Sequence, residues 1–431
     1  MRQILISICF LLMATAARAE LVIEVTQGVA EPSPVAVVPF GWSGGSALPE
    51  DVSKVVEQDL ARSGFFSALP RKSMLSFPTR QGDIFYRDWR VSGADYLLIG
   101  RMEPAANGQI SINFGLYDVL KEQPVKLENN LVTTSTAQLR DAAHYISDQV
   151  FEALTGLKGA FSTRIVYIQA DRNGAANSYK LQLADWDGAR PRTVMESSEP
   201  IMSPSWSQDG RKLAYVSFES GRPAIYVQYL ATGKRERIQS FPGLNGAPAW
   251  SPDGNSLALV LSKDGNPEIY VLNLANRQLQ RITRHYAIDT EPTWTPDGKS
   301  IIFTSDRGGQ PQIYKLDLAS RDLERLTWEG NYNARGRLTQ DGRFLAMVHR
   351  PAGADFTIAV QDLKSGRLDI LTEAGLEESP SIAPNGSIII YATKQNGRGV
   401  LSAVSLDGQV RFRMPSRSGD VREPAWSPYL N

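Results

Sequence analysis

The chain has 431 residues, is 42% hydrophobic and 21% charged, and balances 46 basic against 46 acidic side chains. That composition excludes a disordered or collagen-like chain, and the lack of a basic excess argues against nucleic-acid binding. With Cys9 as the one cysteine and three scattered histidines (His144, His285, His349), a disulfide is excluded and a multi-histidine metal site is disfavoured.

Residues 1–19 read as a secretory leader. Arg2 supplies the positive start, Ile4 to Met13 an apolar run too short to span a bilayer, and Ala17-Arg18-Ala19 an A-x-A cleavage site. Cys9 lies inside that run behind bulky Ile8, so it is not a lipidation cysteine, and it leaves with the leader. The short leader and cysteine-free product point to bacterial export, hence the periplasm. The next segment begins apolar, with Leu21, Ile23 and Val25 alternating. Such a segment can add as a strand to another sheet or lie against its own domain.

Residues 20–158 predict a non-repeating α/β domain. Val35 to Phe40 reads as a buried strand. Leu48-Pro-Glu-Asp51 opens a helix to about Ser63, ended by Gly64. Asp95 to Arg101, Ile110 to Val119 and Val125 to Thr134 read as strands. Gln138 to Leu154 has helical periodicity, and Gly156-Leu-Lys-Gly159 is the expected linker. Gly41-Trp42-Ser43-Gly44-Gly45 matches G-x-S-x-G. A nucleophile elbow needs strand, sharp turn and helix, with an acid and a histidine downstream. In this domain only His144 follows, inside a helix, so the segment reads as a glycine-rich turn.

Residues 159–431 repeat. Ser203-Pro-Ser-Trp206-Ser-Gln-Asp-Gly210 recurs around Trp250 and Trp294, in degenerate form around Leu338 and Ile382, and ends at Trp426, with 44 residues between successive copies. Each period holds four short β-like runs separated by turn residues, with Asp-Gly as the hairpin signal. Four strands per repeat in one ring predict a six-bladed β-propeller. The last copy lacks room for three more strands. Residues 164–196 supply them, so the C-terminal strand completes the first blade and closes the ring. The Asp-Gly pairs read as turns rather than calcium ligands, and the repeat tryptophans as packing between blades. No phosphate loop, zinc spacing or paired-carboxylate signature is present, so no catalytic, cofactor or metal residue is assigned.

The leader, the small α/β domain with Val35-Ala-Val-Val-Pro-Phe40, the repeats including Gly246-Ala-Pro-Ala-Trp250, and the terminal Pro424-Ala-Trp-Ser-Pro-Tyr-Leu430 together resemble the TolB family over essentially the whole chain. The resemblance implies a non-enzymatic periplasmic adaptor of the Tol–Pal cell-envelope system, with no cofactor, which supports outer-membrane integrity and constriction at division. It implies that the propeller binds the lipoprotein Pal and that the N-terminus binds the C-terminal domain of TolA; some colicins exploit the system. For TolA the expected segment is 20–31, with Glu20, Leu21, Val22, Ile23, Glu24 and Val25 foremost. A periplasmic hydrolase or ligand-binding propeller is the alternative.

A propeller has two faces. Asp-Gly turns lie on one and read as scaffold. Loops leading into each innermost strand lie on the other, beside the channel mouth, and vary from blade to blade. There the expected Pal contacts are Leu244, Asn245, Asp289 and Thr290, followed by Glu291, Asn333 and Glu378. Mixed polar and apolar residues suit a non-obligate interface.

Overall fold

The structure is a computed structural model, and it describes residues 26–27, 32–171, 177–373, 375–414 and 419–430. The leader, its cleavage site and residues 20–25 lie outside them.

The N-terminal part is an α/β unit. Ser33–Val37 runs parallel to both Phe66–Ala68 and Tyr96–Pro104. Tyr96–Pro104 pairs antiparallel with Ile110–Asp118. Side chains alternate across the sheet. Val35 and Val37 face the helices α1 (Val52–Arg62) and α3 (Leu139–Thr155). Ala36 and Val38 face the opposite layer, built on Met74, Ile84 and Trp89, with α2 (Tyr86–Val91) between the two long helices in sequence. Asp51 caps α1 by accepting from the Lys54 N–H at 2.9 Å. Gly156 ends α3 at φ 72°, a left-handed position that glycine adopts without strain.

The expected strand over residues 125–134 needs correction. Residues 125–134 form not one strand but two short ones, Gln123–Val125 and Leu131–Thr134, both paired to Ile110–Asp118. The chain loops out between them, where the Asn129 N–H donates to Gln149 Oε1 on α3 at 3.2 Å. The G-x-S-x-G segment is a two-residue strand, Gly41–Trp42, followed by bends rather than a helix. The Ser43 N–H donates to Met102 O at 3.1 Å, and His144 is bonded to Asp59 instead.

From residue 164 the chain forms six four-stranded antiparallel sheets around a channel. In the first blade the C-terminal strand Asp420–Trp426 is innermost, followed outward by Arg164–Asp171, Ser178–Asp185 and Arg192–Ser197. The other five are continuous in sequence, their innermost strands being Ile201–Trp206, Asn245–Trp250, Asp289–Trp294, Tyr332–Leu338 and Glu378–Ile382. The sixth blade gains an outer strand, Thr26–Gln27, antiparallel to Val410–Arg413.

Each recurring residue of the repeat motif has a place in the blade geometry. Each innermost strand slips register at one place, where Ser203, Ala247, Glu291, Arg335, Ser379 and Glu423 take φ between 44° and 57°. This is a β-bulge. Proline follows in five copies and Gly336 in the other. A bulge leaves one ladder position unpaired, so a residue without an N–H loses nothing there. The tryptophan then donates from its indole to the neighbouring innermost strand: Trp206 to Ala425 O at 3.0 Å, Trp250 to Ser205 O at 3.3 Å and Trp294 to Ala249 O at 3.1 Å. At the turn, Ser251 Oγ donates to Asp253 Oδ1 at 2.5 Å, and the Asn255 N–H donates to the same oxygen at 3.0 Å. Thr295 with Asp297 and Thr339 with Asp341 repeat the arrangement. Those hydroxyl bonds hold the three carboxyls below the usual range. Asp253→Lys loses both bonds and is expected to cost about 1–2 kcal/mol in a denaturant melt.

One apolar core crosses from the α/β unit into the propeller, joining Leu60, Ile146 and Phe151 to Trp186, Phe412 and Trp426.

Candidate protein-interaction face and channel

In each blade the loop from the outermost strand climbs to the face opposite the Asp-Gly turns before entering the next innermost strand. Leu244 and Ile288, the last residues before their strands, and Leu376, at the same place in the 44-residue repeat, are 43%, 49% and 53% exposed. The following residue turns inward. Asn245, Asp289 and Asn333 are buried, which corrects their expected place as contact residues. Asn245 accepts from the Phe241 N–H at 2.8 Å and donates to Phe241 O at 2.7 Å. Asp289 is held by the Arg307 guanidinium at 2.6 and 2.8 Å. Asn333 donates to Gln312 Oε1 at 2.8 Å and Glu329 O at 2.7 Å, and its Oδ1 lies 2.8 Å from His349 Nδ1. A buried polar group must find such partners, and these three brace the loops.

Of the other expected residues, Leu244 and Glu378 are exposed and Thr290 is half-buried beside the mouth. Glu291 points into the channel, where Arg335 Nε lies 2.7 Å away. The structure thus brings Leu244, Thr290 and Glu378 to one rim, with Glu291 below it.

The same rim carries large apolar side chains that the sequence reading passed over. Tyr286 is 87% and Trp328 70% exposed, and Met202 joins them. Hydrogen bonds brace the loop that carries Tyr286 and Ile288. The buried Glu268 carboxylate accepts from Thr283 Oγ1 at 2.5 Å, the His285 N–H at 2.7 Å and Arg281 at 2.9 Å. Asn266 Nδ2 donates to His285 O and Ala287 O, each at 2.6 Å. The Ile288 N–H donates to Asp306 Oδ1 at 2.8 Å. Tyr286 stacks on His285, and Arg325 lies 4.4 Å from the Trp328 ring centre. A ring of exposed apolar groups on pre-ordered loops is the form of a protein-docking surface. Beside it, a hollow of about 380 Å³ is lined by Tyr332, Phe356, Leu376, Glu377 and Glu378. Burial pushes the Glu377 carboxyl up to about 7.

Family profiles match the chain in two places: one described as the TolB amino-terminal domain over residues 21–125, the other as the TolB beta propeller domain over residues 151–430. The chain belongs to the TolB family. It is 60% identical to the Tol-Pal system protein TolB of Pseudomonas aeruginosa over 97% of each chain. It is 59% identical to the protein of the same name from a Marinomonas species, again over 97% of each. The crystal structure of TolB from Acinetobacter baumannii superposes with a TM-score of 0.88 at 45% identity, covering 95% of this chain and all of that one. Among the described residues, no helix is long and apolar enough to cross a membrane.

A second constellation sits where the two parts of the protein meet. The turn Asp185-Trp186-Asp187 enters between α1 and α3. Asp187 pairs with Arg62 at 2.7 Å and Arg140 at 2.6 Å. Asp185 accepts from Arg190 at 2.8 Å and also from Arg164. His144 Nδ1 lies 2.7 Å from Asp59 Oδ2, and Ser147 and the Trp186 indole donate to Asp59. His144, Asp185 and Asp187 are close enough to share a metal ion. Arginines already take both propeller carboxylates, so the arrangement is an ion-pair clamp between domains.

Proposed function

We propose that this chain is a non-enzymatic periplasmic adaptor of the Tol–Pal system. Its propeller docks Pal on the rim of inter-blade loops, its N-terminal segment 20–31 binds the TolA C-terminal domain, and it serves outer-membrane integrity and constriction at division. The observation that carries the Pal assignment is the ring of exposed apolar side chains, Leu244, Tyr286, Ile288, Trp328 and Leu376, on loops braced by buried hydrogen bonds. Such a surface binds without first ordering itself, which lowers the entropic cost of association. Asn245, Asp289 and Asn333 act beneath it as supports, while Thr290, Glu291 and Glu378 give the polar side of the site.

The N-terminal assignment is supported by the strand Thr26–Gln27, which already adds to the edge of the sixth blade. Residues 20–25 directly precede it. The segment can pair either with its own propeller or with a partner sheet, so Pal binding that favours one state controls access to TolA.

The test is a titration of purified Pal and of the TolA domain against variants. Ile288→Arg and Leu244→Arg should each weaken Pal binding by at least about tenfold with little change in melting temperature. Asp289→Lys should lower the melting temperature, because it places a cation in the buried Asp289 position against half-buried Arg307. Deleting residues 20–31 should abolish TolA binding and spare Pal. Full TolA affinity after that deletion contradicts the N-terminal assignment.

A further inference from the structure

We infer that the propeller channel holds a site for a small oxyanion, centred on Arg337. Because the innermost strands repeat every 44 residues, each level of the channel wall carries six equivalent positions. At one level these are Ser205, Ala249, Thr293, Arg337, Ser381 and Ala425. Five are small and one is a guanidinium. They line part of a chamber of about 530 Å³, so the small residues leave open space facing the charge.

Among the described residues, the Arg337 side chain makes one hydrogen bond, from Nη1 to the adjacent Gly336 carbonyl at 2.9 Å. No carboxylate of the described residues lies within ion-pair distance of it. Arg335, two residues earlier, is different. Its Nε pairs with Glu291 at 2.7 Å, and it also reaches Ser379 Oγ. The nearby Glu423 carboxylate accepts from the Ser203 N–H. The channel acids are therefore engaged elsewhere, and most of the five N–H donors of Arg337 stay unused. Burial pushes its pKa down against the pull of Glu291, and Arg335 adds to that push. A confined cation without a counter-charge favours an anion beside it. The planar fork of a guanidinium matches two oxygens of a carboxylate or phosphate. The Ser205 and Thr293 hydroxyls stand at the same level as neutral donors.

The probe is inorganic phosphate, titrated at constant ionic strength against chloride, with the full chain. Saturable binding at one site and a raised melting temperature are expected for the parent. Arg337→Met should weaken phosphate binding by at least about tenfold and should melt above the parent in phosphate-free buffer, because an uncompensated charge is gone. Arg337→Lys keeps the charge without the fork and should bind with intermediate affinity. Acetate, titrated the same way, separates a carboxylate site from a phosphate-type site; binding of neither overturns the proposal. So does an equal phosphate response from the parent and Arg337→Met. If Arg337→Met does not fold, parent crystals soaked in selenate decide. An anomalous peak at hydrogen-bond distance from the guanidinium supports the site, and its absence overturns it.

Discussion

Removing residues 422–431 is expected to abolish cooperative unfolding and to leave an aggregating protein. The lost strand is the innermost one of the first blade, in register with Arg164–Asp171 through Arg422↔Ile168 and Trp426↔Ile165. Its hydrogen bonds tie three blades. The Trp426 N–H donates to Ser381 Oγ at 2.9 Å in the sixth blade. Ser427 and Arg164 exchange bonds at 2.8 and 3.0 Å in the first. Ala425 O accepts the Trp206 indole of the second. The Trp426 indole also donates to Thr163 Oγ1 at 2.7 Å and its ring stacks on Trp186 at 6.1 Å. Removing one buried tryptophan costs about 3–5 kcal/mol, and each lost hydrogen bond about 1 kcal/mol. The sum rivals the whole stability of a domain, about 5–15 kcal/mol. It also uncovers the edge of Arg164–Asp171, a template for pairing with other chains. Circular dichroism melts and light scattering read both effects. A truncated chain that melts like its parent contradicts the closure.

Asp187→Ala is expected to destabilise the protein by about 3–5 kcal/mol, because Arg62 and Arg140 would be left buried without their counter-charge. Burial alone would raise the Asp187 carboxyl, but the Arg62 and Arg140 charges hold it well below the usual range. A lowered carboxylate contributes stability that is present above about pH 4 and lost as pH falls through its folded value. His144 works from the other side. Burial opposes its protonation, yet the Asp59 and Asp185 carboxylates push it up to about 10. That contribution is complete below the unfolded histidine value of about 6.5 and disappears as pH rises through about 10. Chemical denaturation at a series of pH values should therefore show stability falling between about pH 6.5 and 10. His144→Gln should be less stable at pH 6 and lack that fall. An unchanged slope in the variant contradicts the account of the clamp.

The repeat was legible because one geometry is made six times. The bulge suits a residue without an N–H, the gap between blades an indole, and the turn Asp-Gly, so Pro, Trp and Asp-Gly recur often enough to show the 44-residue period even through the copies at Leu338 and Ile382. The exposed rim of inter-blade loops was legible only to within one residue. Asn245, Asp289 and Asn333 are polar and vary, which reads as surface. Yet the outward position is the one before, where Leu244 and Ile288 stand, and the polar side chains point down to brace the loop. Nothing local distinguishes these two phases, because a loop has no fixed alternation until it enters the strand. The clamp left no sequence signal either. Asp185-Trp186-Asp187-Gly188 looks like one more hairpin turn, while its partners Arg62 and Arg140 lie in another domain. Phe66–Ala68, three residues long, is too short to show a period.

Hydrogen exchange on the complex with Pal tests the central claim most directly. If the inter-blade rim is the docking face, peptides covering residues 240–245, 282–289, 326–333 and 375–378 become protected on binding. Turns covering residues 251–255, 295–299 and 339–343 on the opposite face stay unchanged. Protection confined to those turns, with the rim unaffected, would contradict the account.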